Sequence, residues 1–130
     1  MAITPIVRQQ GPAVDRITGL PGAELDIAFA ECPGHRIELM QYLAPAGRAD
    51  ALPRPCDPGF AHVAFEVDDI DATVAALAAG GYPPVNPPEI VPAGPRKGGK
   101  NVYLYGPAGV ALEFQQAPPG AKINSDEKEA

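Results

Sequence analysis

The sequence predicts an α+β domain built on a curved, mostly antiparallel β-sheet, and three observations support that class. Apolar and polar residues alternate in several short runs, which is typical of half-buried strands, whereas a single segment has the apolar spacing of a helix. The 17 Pro and 14 Gly among 130 residues lie between these runs, which indicates short elements joined by abrupt turns. A chain of this length can bury one core without disulfides or a structural metal.

Two alternating runs in the first half of the chain predict an antiparallel hairpin. They cover residues 23–30 and 35–43, and Pro33-Gly34 between them supplies the turn. We expect the apolar positions of both runs to share one face of the sheet, which places Glu38 on the other face. These apolar positions are Leu25, Ile27, Phe29, Ile37 and Leu39.

The second half begins with a strand and the one strongly predicted helix. Residues 60–67 alternate, with His62 on the less apolar side. Asp68-Asp69 supplies N-cap oxygens and negative charge for a helix that starts at Ile70 and has apolar residues at i, i+4 and i+7. Gly80-Gly81 ends that helix.

Three more strands follow, at 89–91, 101–105 and 110–115, and the last two flank a four-residue hairpin loop. The first half repeats the three-strand ending but has only 21 residues before Gly22. A strand, a crossover helix and a return strand need about 30 residues. We therefore expect two βαβββ-type modules around a cup, with the first module lacking its helix, unless the halves are not true repeats.

These elements give a single domain over 1–116, with module one at 1–44, a Pro-rich linker at 45–58 and module two at 59–116. Residues 117–130 are predicted to be a flexible polar tail. The net charge of −6 repels phosphate backbones and anionic lipid surfaces, which argues against nucleic-acid or membrane partners. No apolar run is long enough for a membrane span and no signal peptide is recognisable, so we expect a cytoplasmic protein.

Three ionisable residues lie on the less apolar faces of their strands, namely Glu38, His62 and Glu113. If the apolar faces all pack on the helical side, these side chains converge inside the cup. A His and two carboxylates at one point suit a divalent cation. The alternative is that each simply faces solvent on the wet side of the sheet.

Several segments resemble the vicinal oxygen chelate superfamily, which includes glyoxalase I, methylmalonyl-CoA epimerase, extradiol dioxygenases and the bleomycin-resistance proteins. FAHVAFEVDDID at 60–71 is similar to the start of that family's second module, and YLYGPAGVALEF at 103–114 is similar to its closing hairpin. HRIEL at 35–39 resembles the last strand of the first module. The resemblance implies metal ligands at Glu38, His62 and Glu113.

The resemblance also implies a small-molecule substrate and a lyase or isomerase of the glyoxalase and epimerase kind, in which a metal-assisted proton transfer occurs next to a carbonyl. Glu113 or Glu38 is the candidate base, and the assignment between them is open. Family members with a complete metal site usually take a fourth ligand, a His, from the first strand, and no His stands there in this chain. The cofactor is therefore a divalent ion of unknown identity, or none.

Further residues are candidates for substrate binding. Arg36, Met40, Tyr42 and Tyr103 share the parity of the cup-facing positions. The loop GPRKGGKN at 94–101 approaches a P-loop, but it lacks the Ser or Thr and precedes a strand instead of a helix. Its Arg96 and Lys100 are predicted either to clamp an anionic group of the substrate or to form a solvated basic turn.

Two further expectations complete the hypothesis. A missing first helix would leave the apolar hairpin face uncovered, which predicts a homodimer, with exchange of N-terminal segments as one arrangement. The second functional hypothesis is a metal-free small-molecule binding protein of the bleomycin-resistance kind, or a metal-independent enzyme that uses the same cup.

Overall fold

The structure, a computed structural model, describes residues 1–49 and 52–121. The chain divides into two compact units, Met1–Ala49 and Asp50–Ala130, and each has its own four-stranded sheet. Most of the predicted flexible tail, from 122 onward, lies outside the described residues. Neither helix in the part of the chain that the structure describes is long and apolar enough to cross a lipid bilayer.

Unit 1 is an antiparallel sheet with one short helix. Strand β3 is central, because β1 and β2 pair with different stretches of it and β4 pairs with it along its whole length. The elements are β1 (Ala2–Ile3), β2 (Val7–Gln10), α1 (Pro12–Thr18), β3 (Glu24–Cys32) and β4 (His35–Ala44).

Helix α1 corrects the prediction that module one lacks its helix. It has seven residues and buries none of them, and a segment of this length, with Ala13, Val14 and Ile17 as its apolar residues, is too short for periodicity to detect. Gly11 precedes Pro12, which stands at the first helical position, and Gly19 ends the helix in the left-handed conformation with φ 70°. The segment before Gly22 was judged too short for a strand, a helix and a return strand. That judgement was wrong because β2 runs antiparallel to β3, and an antiparallel pair needs no long crossover.

The register of the β3–β4 hairpin corrects a second prediction. Cys32 pairs with His35 across the two-residue turn, so Phe29 lies opposite Glu38 and Ile27 opposite Met40. Paired residues share a face, and Ile37 and Leu39 therefore lie on the opposite face from Ile27 and Phe29. The single apolar patch expected from these residues does not exist.

Unit 2 is a complete βαβββ arrangement with the strand order β5-β8-β7-β6. Strands β5 and β8 are parallel, whereas the other pairs are antiparallel. The elements are β5 (His62–Glu66), α2 (Ile70–Ala79), β6 (Glu89–Ile90), β7 (Lys100–Tyr105), a 3₁₀ turn (Pro107–Gly109) and β8 (Ala111–Gln116). The α+β class and the mostly antiparallel pairing are confirmed.

Helix α2 covers one face of the unit 2 sheet. Asp69 accepts a hydrogen bond from Ala72 N at 2.9 Å, which confirms the predicted N-cap. Ile70 and Val74 pack in a core cluster with three sheet residues: Val102, Leu104 and Phe114. Since side chains alternate along each strand, the neighbours of these core residues point to the other side of the sheet, which we call the polar face.

Candidate functional site

The polar face of unit 2 collects side chains from three adjacent strands. Its members in β5 are His62, Ala64 and Glu66, and those in β8 are Ala111, Glu113 and Gln115. Strand β7 adds Asn101 opposite Gln115 and Tyr103 opposite Glu113. The two-residue period of each strand thus places two of the three predicted site residues, His62 and Glu113, on one surface.

Glu113 is the centre of a hydrogen-bonded cluster. Its Oε2 lies 3.0 Å from His62 Nε2, and its Oε1 accepts a hydrogen bond from Asn101 Nδ2 at 2.8 Å. A carboxylate has about four lone-pair positions. These two neighbours fix its orientation and leave other lone pairs free to accept a hydrogen bond or a proton.

Burial distinguishes the members of this cluster. Glu113 is 7% exposed, whereas the His62 side chain is 33% exposed and within reach of a ligand. A buried carboxylate is costly unless it is hydrogen-bonded; Asn101 supplies one hydrogen bond, and His62 Nε2 lies close by. Asn101 Oδ1 is itself buried and has no hydrogen-bond partner.

Tyr103 completes the cluster beside the imidazole. Its hydroxyl oxygen lies 3.5 Å from His62 Nε2, and the two rings meet edge to face with centroids 5.2 Å apart. Burial raises the pKa of Tyr103, and the negative charge of Glu113 raises it further. The phenol therefore stays protonated and can donate a hydrogen bond to a ligand oxygen.

Glu38, the third predicted site residue, belongs to unit 1. It lines a cavity of about 500 Å³ on the face of β3 and β4 that carries Ile27 and Phe29, and β2 contributes Val7 and Gln9.

The other candidate residues of unit 1 lie on the same hairpin. Met40 shares that face opposite Ile27, and the Arg36 guanidinium carbon lies 4.3 Å from the centre of the Phe29 ring. Tyr42 pairs with Leu25.

The described residues do not bring together enough side chains to form a metal site. They contain no group of three or more His, Cys, Asp or Glu side chains arranged to hold a metal ion. Unit 2 contributes two adjacent donors, His62 Nε2 and Glu113 Oε2, and protein metal sites with open positions usually have three. A metal requirement remains a prediction.

The two basic candidates of the 94–101 loop already have acidic neighbours. Lys100 pairs with Asp71 of α2, and its register places it on the same face as Val102, opposite to Glu113. Arg96 Nη2 lies 3.8 Å from Glu66 Oε1, and its Nε and Nη2 are buried without a hydrogen-bond partner. The structure does not bring Lys100 together with His62 and Glu113.

Asn101 is the site residue that the sequence reasoning missed. It precedes Tyr103 by two positions, so strand parity alone puts both on the same face. An amide in a strand carries no chemical signal by itself, however, and its role becomes visible only from the bond to Glu113.

Comparison with protein families gives one match over most of the chain. A sequence model of the Glyoxalase/Bleomycin resistance protein/Dioxygenase superfamily matches residues 4–105. A curated 2-epi-5-epi-valiolone epimerase from Actinomyces sp is 39% identical over 90 residues, which are 68% of this chain and 49% of that protein. The chain therefore spans about half the length of this relative.

Two solved structures are similar to this chain. The glyoxalase family protein from Bacillus cereus has a TM-score of 0.73 and 28% identity, with 89% of this chain and 77% of that chain covered. A glyoxalase/bleomycin resistance protein/dioxygenase domain from Frankia sp. EAN1pec has a TM-score of 0.56 and 20% identity, with 88% and 73% covered. The second likeness is one of fold alone.

Proposed function

The chain belongs to the Glyoxalase/Bleomycin resistance protein/Dioxygenase superfamily, and on that premise we propose that it is an isomerase of the epimerase type. The resemblance found in the sequence is thereby confirmed. The proposed reaction moves a proton on the carbon next to a carbonyl group. The observation that carries the proposal is the buried Glu113 carboxylate, held by Asn101 and His62 beside the protonated Tyr103.

Glu113 is the general base in this proposal. Its carboxylate removes the proton from the carbon, and the electrons of the broken C–H bond move into the carbonyl to give an enolate. A proton from solvent then adds to the opposite side of the same carbon to produce the epimer, and Glu113 releases the proton it took up to solvent. Glu38 is the candidate for a second acid–base group, and we leave the assignment between the two carboxylates to the variants.

Tyr103 acts on the substrate oxygen in this proposal, and His62 acts on the Glu113 carboxylate. The raised pKa of Tyr103 keeps its O–H available as a donor to the oxygen where negative charge develops. Such a donor stabilises the transition state more than the neutral carbonyl substrate. His62 is in contact with both Tyr103 and Glu113. In this proposal it holds the Glu113 carboxylate in position and passes the proton that Glu113 takes up on to solvent.

The compound in the name of the Actinomyces relative, 2-epi-5-epi-valiolone, is the first substrate to test. The protein is incubated with it in D₂O, and NMR follows deuterium at the carbon next to the carbonyl and the appearance of the epimer. We expect both signals from the unaltered protein. Glu113→Gln should lower kcat by about 10²- to 10⁴-fold, as expected for loss of a general base.

Glu31→Gln is the matched control, because it is the same substitution at an exposed strand residue and should leave kcat unchanged. Glu38→Gln tests the second carboxylate. Full activity of Glu113→Gln would contradict its assignment as the base. A protein that binds the compound without deuterium exchange or epimer formation would instead match the binding-protein hypothesis.

A metal-assisted form of the same reaction is the second candidate, and the adjacent donors His62 Nε2 and Glu113 Oε2 favour it. Glu38 would be the third ligand that the family resemblance implies. Elemental analysis of protein purified without chelator tests this form. Stoichiometric metal that is lost in both His62→Ala and Glu38→Ala supports it, whereas metal-free protein with full activity contradicts it.

A further inference from the structure

We infer that a cleft at the β7 edge of unit 2 is a substrate subsite that accepts neutral, hydroxyl-rich groups and disfavours anionic ones. The inference rests on the proposed function only in taking Glu113 as the reacting group. Its own basis is the position, lining and charge of the cleft, which are independent of the reaction.

The cleft exists because the chain separates from β7 and then returns to it. Val85 N donates to Tyr103 O at 2.9 Å, and strand pairing resumes where Glu89 lies opposite Asn101. The intervening Pro87-Pro88 has no backbone N–H with which to bond to β7. The gap has a volume of about 180 Å³ and is lined by Val85, Asn86, Pro87, Glu89, Asn101, Val102 and Tyr103.

The cleft adjoins the proposed reacting group directly. Asn101 and Tyr103 line it, and the same Asn101 donates to Glu113 while Tyr103 contacts His62. Asn101 Oδ1 is buried and lacks a donor, and an unsatisfied buried acceptor is costly. A hydroxyl group seated in the cleft lies beside this amide, where it is placed to supply the missing donor, and one side chain away from Glu113.

The charges around the cleft determine the class of ligand. Glu89 shares the polar face with Asn101, with which it is paired, and Glu113 lies on the next strand; none of the lining residues is cationic. Of the basic residues of the 94–101 loop, Lys100 is paired with Asp71 on the other face and Arg96 lies against Glu66. A phosphate or carboxylate would therefore meet like charge, whereas O–H donors meet carboxylate and amide acceptors.

A binding comparison tests this inference without turnover. NMR titration of the full chain with myo-inositol and with myo-inositol 1-phosphate measures both affinities. We expect the neutral cyclitol to bind at least about fivefold more tightly, because like charges a few ångströms apart at a protein surface repel by that order. Shifts should concentrate on the side-chain amides of Asn86 and Asn101.

Three variants locate the selectivity. Glu89→Lys changes an exposed residue and should shift the preference toward the phosphate by about tenfold, since it replaces a repulsive charge with an attractive one. Glu31→Lys makes the same change in net charge in unit 1 and should leave the preference as it is. Asn86→Ala should weaken myo-inositol binding by about fivefold, the scale of one hydrogen bond.

Equal or tighter binding of the phosphate by the unaltered protein would overturn the inference. A preference that Glu89→Lys and Glu31→Lys change equally would overturn the location, because net charge alone would then explain it. If the neutral preference is found but no epimer forms from any carbonyl substrate, the proposed function fails and the subsite stands. If the enzyme turns over anionic substrates best, the subsite fails alone.

Discussion

Glu113 is a carboxylate that burial disfavours and that its neighbours stabilise. It is 7% exposed, and the hydrogen bond donated by Asn101 offsets part of the loss of solvation. Single substitutions here therefore act on the site more than on the core. Asn101→Leu removes a donor from a buried carboxylate and should lower the free energy of unfolding, measured by urea titration, by about 1–3 kcal/mol.

The titration of Tyr103 provides a prediction at this scale. Its pKa is raised by burial and by Glu113, so we expect the tyrosinate absorbance of Tyr103, obtained as the difference between the unaltered protein and Tyr103→Phe, to develop above the ordinary value of about 10. Glu113→Gln should move that pKa back toward 10, because it removes the negative charge.

The same shift predicts how stability changes with pH. Above about pH 10 the unfolded chain ionises this phenol while the folded chain keeps it protonated, so the unfolded state is favoured as pH rises. Below the ordinary pKa the contribution does not change with pH. Urea unfolding on either side of pH 10 should show a smaller alkaline loss of stability in Tyr103→Phe than in the unaltered protein. Equal losses would contradict the raised pKa.

Helix α2 is hydrogen-bonded to β8, the strand that carries Glu113. Besides the Asp69 cap, Ile70 N donates to Gln116 Oε1 of β8 at 2.8 Å. The first turn of the helix is thus held by the strand that carries Glu113. Loss of either acceptor leaves a backbone N–H at the helix start without its partner.

Removal of the N-cap gives a prediction for this element. Asp69→Ala should lower the free energy of unfolding by about 1 kcal/mol, the usual cost of losing an N-cap acceptor. Asp68→Ala is the matched control, since it removes the neighbouring carboxylate, which has a similar charge effect but is not the cap. Urea titration followed by circular dichroism measures both. An equal loss in the two variants would assign the effect to charge and not to the cap.

Strands and helices with a clear periodic pattern of apolar residues could be predicted from the sequence. The register between paired strands and the short helix without such a pattern could not. Alternation located β3, β4, β5, β7 and β8, and the apolar stripe located α2. Helix α1 buries no residue, so it was visible only through Pro12 and the glycines at its ends. The β3–β4 register was misjudged because apolar pattern was given more weight than the turn, although a two-residue turn at Pro33-Gly34 sets odd residues opposite even ones.

The candidate site was predictable to the same extent. Parity within strands placed His62, Tyr103 and Glu113 on one face, because alternation is a local property. Which residues contact Glu113 depends on which strands lie beside β8 and on their register. Both are set by pairing between distant segments, which local alternation does not reveal. Asn101 therefore needed the structure, although its position two residues before Tyr103 was readable from the sequence.

At the scale of the whole molecule, we propose that the chain forms a homodimer. The expected single apolar patch is absent, but large apolar side chains remain exposed in unit 1: Val7 is 53% exposed, Leu39 47% and Met40 52%. They lie on both faces of the sheet, since Leu39 points opposite to Met40. A soluble chain usually covers apolar surface of this kind.

Size-exclusion chromatography with light scattering tests the dimer. We expect a mass twice that of the 13.5 kDa chain. Leu39→Lys should favour the monomer, because it places a charge in an apolar contact, whereas Gln41→Lys on the same face replaces a residue that is already polar. A monomer at all concentrations for the unaltered protein would refute the proposal.

The parallel alignment of β5 and β8 has a consequence for the order of events during synthesis and refolding. His62 lies at the start of unit 2 and Glu113 in its last strand, so the chemical pair forms only when that strand inserts between β5 and β7. A nascent or partly refolded chain therefore contains the imidazole without its carboxylate. The His62–Glu113 pair therefore reports that β8 has inserted, and the proposed activity should be absent from any state in which β8 is not yet paired.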